Sequence, residues 1–118
     1  MTVANVISLL DGQFFYGEKM GDQEVFTACG ADLMSDVMAF VKGKGILLTG
    51  LINPQVIRTA DLLDITAIIF VRGKQPSMDM IDMAIDLNII LGGTKHPMFL
   101  SCGKLYEAGI KQSYSRQP

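Results

Sequence analysis

Between Gly45 and Ile110 the chain repeats one pattern three times: a short apolar run, a polar or glycine-rich turn, then residues apolar at helical spacing. Residues 46–49 lead through Asn53-Pro54 into the first helical stretch. Residues 65–71 lead through Arg72-Gly73-Lys74-Gln75-Pro76-Ser77 into the second, and residues 89–91 through Gly92-Gly93-Thr94-Lys95-His96-Pro97 into the third. A strand that is apolar at every position has no face to give to water, so both sides of its sheet must be covered. Alternation of such strands with helices predicts an α/β fold, a three-layer αβα arrangement with a mainly parallel sheet.

The opening third reads differently, as helix, strand, turn, strand. Val3, Val6, Ile7 and Leu10 recur at helical spacing until Asp11-Gly12 stops them. Residues 13–16 form a short strand closed by Gly17, and residues 24–28 form a second after the turn at Gly21-Asp22. Asp32 is placed to cap a helix over 33–41, with Leu33, Val37, Phe40 and Val41 as one stripe, ended by Lys42-Gly43-Lys44-Gly45. Asn53 and Pro54 suit N-cap and N1 of the next helix, where Val56, Ile57, Ala60 and Leu63 turn inward.

In the helix over 77–87, Met80, Ile81, Ala84, Ile85 and Leu87 form the expected buried side, and Asp79, Asp82 and Asp86 a solvated one. The last helix, 97–108, sets Met98, Cys102 and Leu105 on one side with Phe99 and Tyr106 nearby. Gly109-Ile110 fits a left-handed C′ glycine followed by its apolar C″ contact. Residues 1–110 read as one domain and residues 111–118 as a flexible polar tail.

Composition narrows the class. Hydrophobic residues make up 49% of the 118, with twelve glycines besides. That exceeds a typical apolar share of about 45–50%, which already counts glycine. Surplus apolar surface in a chain only 19% charged points to a homo-oligomer, a dimer foremost. A net charge of −2 gives no nucleic-acid footprint. No apolar run is long enough to span a bilayer and no charged-then-apolar leader opens the chain, so a cytoplasmic protein away from membranes is expected. Cys29 and Cys102 have no CxxC or His partner at metal spacing, and read as reduced thiols. No cofactor is expected.

Motifs for catalysis are missing. GxxxxGK[ST], GxGxxG, GxSxG and HExxH do not occur, and His96 is the only histidine. A cryptic enzyme built on His96 with Lys95 or carboxylates ranks last, and the chain is read as no enzyme. The carboxyl edge of a parallel sheet is the better place for a ligand. Thr49, Gly50 and Asn53, then Arg72 and Lys74, then Gly92, Gly93, Thr94, Lys95 and His96 converge there. Glycines admit a ligand to the backbone, helix starts favour anions, and the basic side chains add charge. The same residues also fit plain solvated turns, and both readings stand at this point. Met34, Met38, Met78, Met80 and Met83 fit core or subunit interface, or a soft groove.

The stretch Asp32-Leu33-Met34-Ser35-Asp36-Val37-Met38-Ala39, with Leu105-Tyr106-Glu107-Ala108-Gly109-Ile110, resembles the small DRTGG-domain proteins. These are similar to the N-terminal domain of HPr kinase/phosphorylase without its catalytic half. The resemblance runs over about residues 3–110. The signature itself departs from the family: Gln23 follows Asp22, and Thr27 and Ala28 stand where the glycine pair is expected. The resemblance implies a fold shared with those kinase N-domains and with domains of UDP-muramoyl ligases. It also implies dimerising regulatory modules, found beside CBS, phosphotransacetylase or inorganic pyrophosphatase domains. Some stand-alone relatives are similar to proteins encoded near iron-hydrogenase genes, which bears on pathway only. It implies no kinase activity, and no catalytic residue carries over. A non-catalytic, self-associating regulatory module that senses a small anionic metabolite is the leading expectation; the alternative is a nucleotide- or phosphate-binding sensor using the carboxyl edge.

Overall fold

Side chains at alternate positions of each central strand face opposite sides of one sheet. In the computed structural model, which describes residues 1–40 and 44–112, that sheet has six strands in the order β1-β5-β4-β3-β2-β6. They are β1 (Gln13–Tyr16), β2 (Thr27–Gly30), β3 (Gly45–Thr49), β4 (Ala67–Phe70), β5 (Ile90–Gly93) and β6 (Lys111–Gln112). All neighbours pair in parallel except β1, which runs antiparallel along β5. Every residue of β3, β4 and β5 is buried, as uniformly apolar strands require.

Among the described residues five α-helices cover the sheet: α1 (Val3–Leu9), α2 (Met34–Phe40), α3 (Pro54–Leu62), α4 (Met78–Leu87) and α5 (Met98–Glu107). Leu47, Ile68, Phe70 and Leu91 pack on one side with Val37, Val56, Ile57, Met80 and Ala84 from α2, α3 and α4. Ile46, Leu48, Ala67, Ile69 and Ile90 pack on the other with Val3, Val6 and Ile7 of α1 and Leu105 of α5. This is the three-layer αβα fold.

Helix ends follow local chemistry. The Asn53 side chain accepts from the Gln55 amide and that of Ser77 from the Met80 amide, each satisfying a donor that the helix leaves open. At the far end of α5 the Gly109 amide donates to the Tyr106 carbonyl and the Ile110 amide to Leu105, with Gly109 at φ 105°. That is the Schellman closure. Helices α1 and α3 end the same way with Asp11 and Asp64 at the left-handed position.

Four expectations need correction. The second strand lies at Thr27–Gly30, not over 24–28, because Ala28 and Cys29 find partners in Ile46 and Leu47. Helix α2 starts at Met34, and Asp32 does not begin it: the carboxylate accepts from the Thr49 hydroxyl and the Gly50 amide instead. The later start turns the stripe, so Met34 is buried while Leu33 is 62% exposed. On α4, Ile85 and Leu87 are exposed rather than buried, leaving Met80 and Ala84 as the inward pair. Lys111 and Gln112, expected in a frayed tail, pair with Thr27 and Ala28. The expected placements of Val41, Lys42 and Gly43, and of the tail from 113 to 118, lie outside the described residues.

Candidate functional site

The strand order places the site. From β2 to β5 the chain steps across the sheet in one direction, with α2, α3 and α4 on one face. It then returns from β5 past all of them to β6, through α5. Reversing direction while keeping one crossover hand moves α5 to the opposite face. The chain therefore leaves β4 toward one face and β5 toward the other, and the carboxyl ends of these two neighbours border a crevice.

Backbone hydrogen bonds lace the two turns together at its base. The Arg72 amide donates to the His96 carbonyl at 2.8 Å and the Gly73 amide to the Thr94 carbonyl at 2.9 Å. Arg72 and Gly73 both take positive φ, 61° and 71°, and the Lys74 amide closes the turn on the Val71 carbonyl. Positive φ at both central positions is the type I′ geometry. Glycine adopts it freely, but arginine pays for it in strain of about 1 kcal/mol or more.

Above this base is a cavity of about 410 Å³. Gly73, Lys74 and Gln75 line one wall, and Gly93, Thr94 and Lys95 a second. Asp11, Gly12, Gln13 and Phe15, from the end of α1 and from β1, complete it. These last four were missed in the sequence because the antiparallel pairing of β1 with β5 is a long-range event. One signal was present: two consecutive glycines in a buried strand call for a close neighbour. A Cβ on Gly92 would stand 2.8 Å from Ile7 Cδ1, and one on Gly93 would stand 2.5 Å from the Phe15 ring. The register shifts between Phe14 and Tyr16, so Phe15 and Tyr16 both pack on the α2–α4 side while Phe14 packs on the other.

The ten residues singled out from the sequence thus separate. Gly73, which the sequence sets between Arg72 and Lys74 in the converging turn, joins Lys74, Gly93, Thr94 and Lys95 at the cavity. Thr94 itself is buried and committed, donating to the Leu10 carbonyl at 2.7 Å and accepting from the His96 amide. His96 lies at the rim, its Nε2 3.3 Å from Asp11 Oδ2. Arg72 is exposed on the same turn. Gly92 sits inside β5 and serves the packing of α1 on the sheet. Thr49, Gly50 and Asn53 form a separate corner where the Asp32 carboxylate, an anion of the protein itself, already occupies the Thr49 hydroxyl and Gly50 amide. Asn53 spends its side-chain oxygen on capping α3.

A larger hollow of about 770 Å³ lies on the opposite, amino rim, between residues that precede the strands, among them Phe26, Lys44, Thr66 and Ile89. Its charged lining is mainly acidic, with Glu24, Asp61 and Asp64 against Lys44. The carboxyl-edge cavity is smaller but carries two lysines to one carboxylate, backbone glycines and an aromatic ring. We take the smaller one as the candidate site on that chemistry.

Elsewhere, Cys29 and Cys102 border a crevice of about 240 Å³ between β2 and α5. Burial pushes the Cys29 thiol above its usual range, and the neighbouring Cys102 and Asp36 raise it further. Burial alone lifts Cys102. Both thiols are therefore held protonated, unlike a reactive pair. Among the described residues no cluster of three His, Cys, Asp or Glu could hold a metal ion, and no helix is long and apolar enough to cross a membrane.

No family model and no curated protein matches the chain. A solved structure does: the CBS and DRTGG domains of the regulatory region of Clostridium perfringens pyrophosphatase, in complex with its activator diadenosine tetraphosphate. It superposes with a TM-score of 0.71 over 88% of this chain. This chain folds like part of a pyrophosphatase regulatory region. At 17% identity the likeness is one of fold, and the chain spans 45% of that structure's length.

Proposed function

We propose that this chain is a non-catalytic, DRTGG-like regulatory module that binds an anionic, nucleotide-like ligand at the carboxyl ends of β4 and β5. The observation that carries the reading is that Lys74 and Lys95 both line one cavity, at the point where the chain leaves β4 and β5 toward opposite faces. Lysine ammonium groups pair with phosphate oxygens as point charges. The Phe15 ring offers a surface on which a base can stack, worth about 1–3 kcal/mol where such stacking has been measured. Asp11 and Gln13 supply an acceptor and an amide suited to ribose hydroxyls. Fold likeness to a regulatory region solved with a dinucleotide activator supports the same class of ligand. Kinship with the HPr kinase N-terminal domain belongs to this reading too.

Self-association is part of it. Phe99, 91% exposed, and Tyr106, 63% exposed, border one surface depression, and large apolar side chains grouped on a small domain mark a contact site.

Thermal unfolding with ATP, ADP, a dinucleoside polyphosphate and inorganic phosphate tests the ligand reading. A ligand at 100 times its Kd stabilises by about 2.7 kcal/mol, which at this chain length raises Tm by roughly 10 °C. Lys74→Ala with Lys95→Ala should abolish the shift and leave the unliganded Tm unchanged. No shift with any of the four, or one that survives the double substitution, overturns the site.

A further inference from the structure

Helix α5 carries two apolar stripes where one would suffice to hold it to the sheet. Ser101 and Leu105 are buried beneath it. Phe99, Gly103 and Tyr106 follow at i, i+4 and i+7, the spacing of one helix face, and this face looks outward, while half-buried Cys102 at its edge turns its sulfur toward Gly30 of β2. Phe99 is 91% exposed and Tyr106 63%. Between them is a depression of about 440 Å³ lined by Phe99, Cys102, Gly103, Tyr106 and Glu107. A Cβ on Gly103 would meet nothing within 4 Å, so the floor of the depression is open backbone.

We propose that two copies of the chain pair through this face, antiparallel, about a two-fold axis beside Cys102 and Gly103. The proposal rests on the self-association reading and names its surface. A projecting ring and a hollow one helical turn apart on the same face are self-complementary in one arrangement: each Phe99 enters the Gly103–Tyr106 half of the other copy. A two-fold axis makes that contact twice. Antiparallel pairing also sets opposed helix dipoles side by side and brings the end preceded by Lys95 toward the end bearing Glu107 of the second copy. The rim mixes signs, with Lys104 and Lys111 beside Glu107, so like copies do not repel. Lys111 already lies over the Tyr106 ring, 3.9 Å from its centroid, and steadies it.

Area agrees with a second copy as the occupant. Aromatic residues bury about 150–250 Å² each, so two per copy, with half-exposed Leu100 and the polar rim, reach roughly 600 Å² per copy. That is the lower end of specific interfaces, about 1,200 Å² in total.

Sedimentation equilibrium from about 1 µM to about 1 mM tests this on the full chain. The wild type should dimerise within that range. Phe99→Glu should weaken the dimer at least 100-fold without changing the unfolding midpoint, because Phe99 touches little in the monomer. Leu62→Glu, which alters a leucine 66% exposed on α3, should leave it intact. A dimer that survives Phe99→Glu removes α5 as the interface and spares self-association. A wild type that stays monomeric throughout removes both.

Discussion

Replacing Thr94 with valine keeps the shape of the side chain and deletes one hydroxyl. In the fold that hydroxyl donates to the Leu10 carbonyl at 2.7 Å and accepts from the His96 amide at 3.1 Å, and Thr94 is only 4% exposed. It ties the end of α1 to the turn after β5, 84 residues away along the chain. Valine leaves the Leu10 carbonyl buried without its donor, a loss of about 1–3 kcal/mol. The His96 amide lies nearer the surface and regains water, adding about 0.5 kcal/mol. A total of about 1.5–3.5 kcal/mol in a chain of this length lowers Tm by roughly 5–15 °C. Scanning calorimetry of wild type, Thr94→Val and Thr94→Ser gives the answer. Serine keeps the hydroxyl and should cost under about 1 kcal/mol. Valine equal to wild type, or serine worse than valine, would refute the claim that this hydroxyl joins the two walls of the site.

Other outcomes follow from single positions. A Cβ on Gly12 would stand 2.3 Å from the Gly93 carbonyl oxygen, and backbone cannot swing aside; Gly12→Ala should cost about 3 kcal/mol by urea titration, and a neutral result would contradict the packing of β1 against β5. Arg72→Gly relieves the left-handed strain at φ 61° and should raise stability by up to about 1 kcal/mol, while the removed guanidinium reduces any nucleotide-induced Tm shift; destabilisation would contradict the turn geometry. Because burial raises both thiols, iodoacetamide should label the native protein slowly at neutral pH and faster as pH climbs. The folded state holds these thiols protonated after the unfolded chain has begun to ionise, so stability should fall as pH rises past the ordinary thiol range. Cys29→Ser with Cys102→Ser should flatten that decline, and labelling at the rate of free cysteine at neutral pH would contradict the burial.

Much of the scaffold was legible because its signals are local. Asn53 before Pro54, Ser77 before Met78, and Gly109 before Ile110 mark helix ends within a few residues, and each acts as its chemistry dictates. The uniformly apolar runs that became β3, β4 and β5 could only lie in the middle of a covered sheet. What escaped is long-range. Nothing near Gln13 states that it will pair with Gly93, so the wall made by Asp11, Gly12, Gln13 and Phe15 was invisible. Asp32 has the composition of a helix cap, yet two donors at the end of β3 compete for its carboxylate and win, shifting α2 by one residue and exchanging Leu33 for Met34 in the core. The carboxyl edge was therefore found as a region, and its division into a satisfied corner at Thr49–Gly50 and an open crevice at β4–β5 emerged only with the topology.

The most direct test of the ligand site is an amide chemical-shift titration of the isotope-labelled chain with a dinucleoside polyphosphate. Saturable changes should cluster at Gly12, Gln13, Gly73, Lys74, Gly93 and Lys95 and vanish in the Lys74→Ala, Lys95→Ala double variant. Changes centred instead on Asp64, Asn88 and Ile89 would move binding to the amino rim and contradict the account.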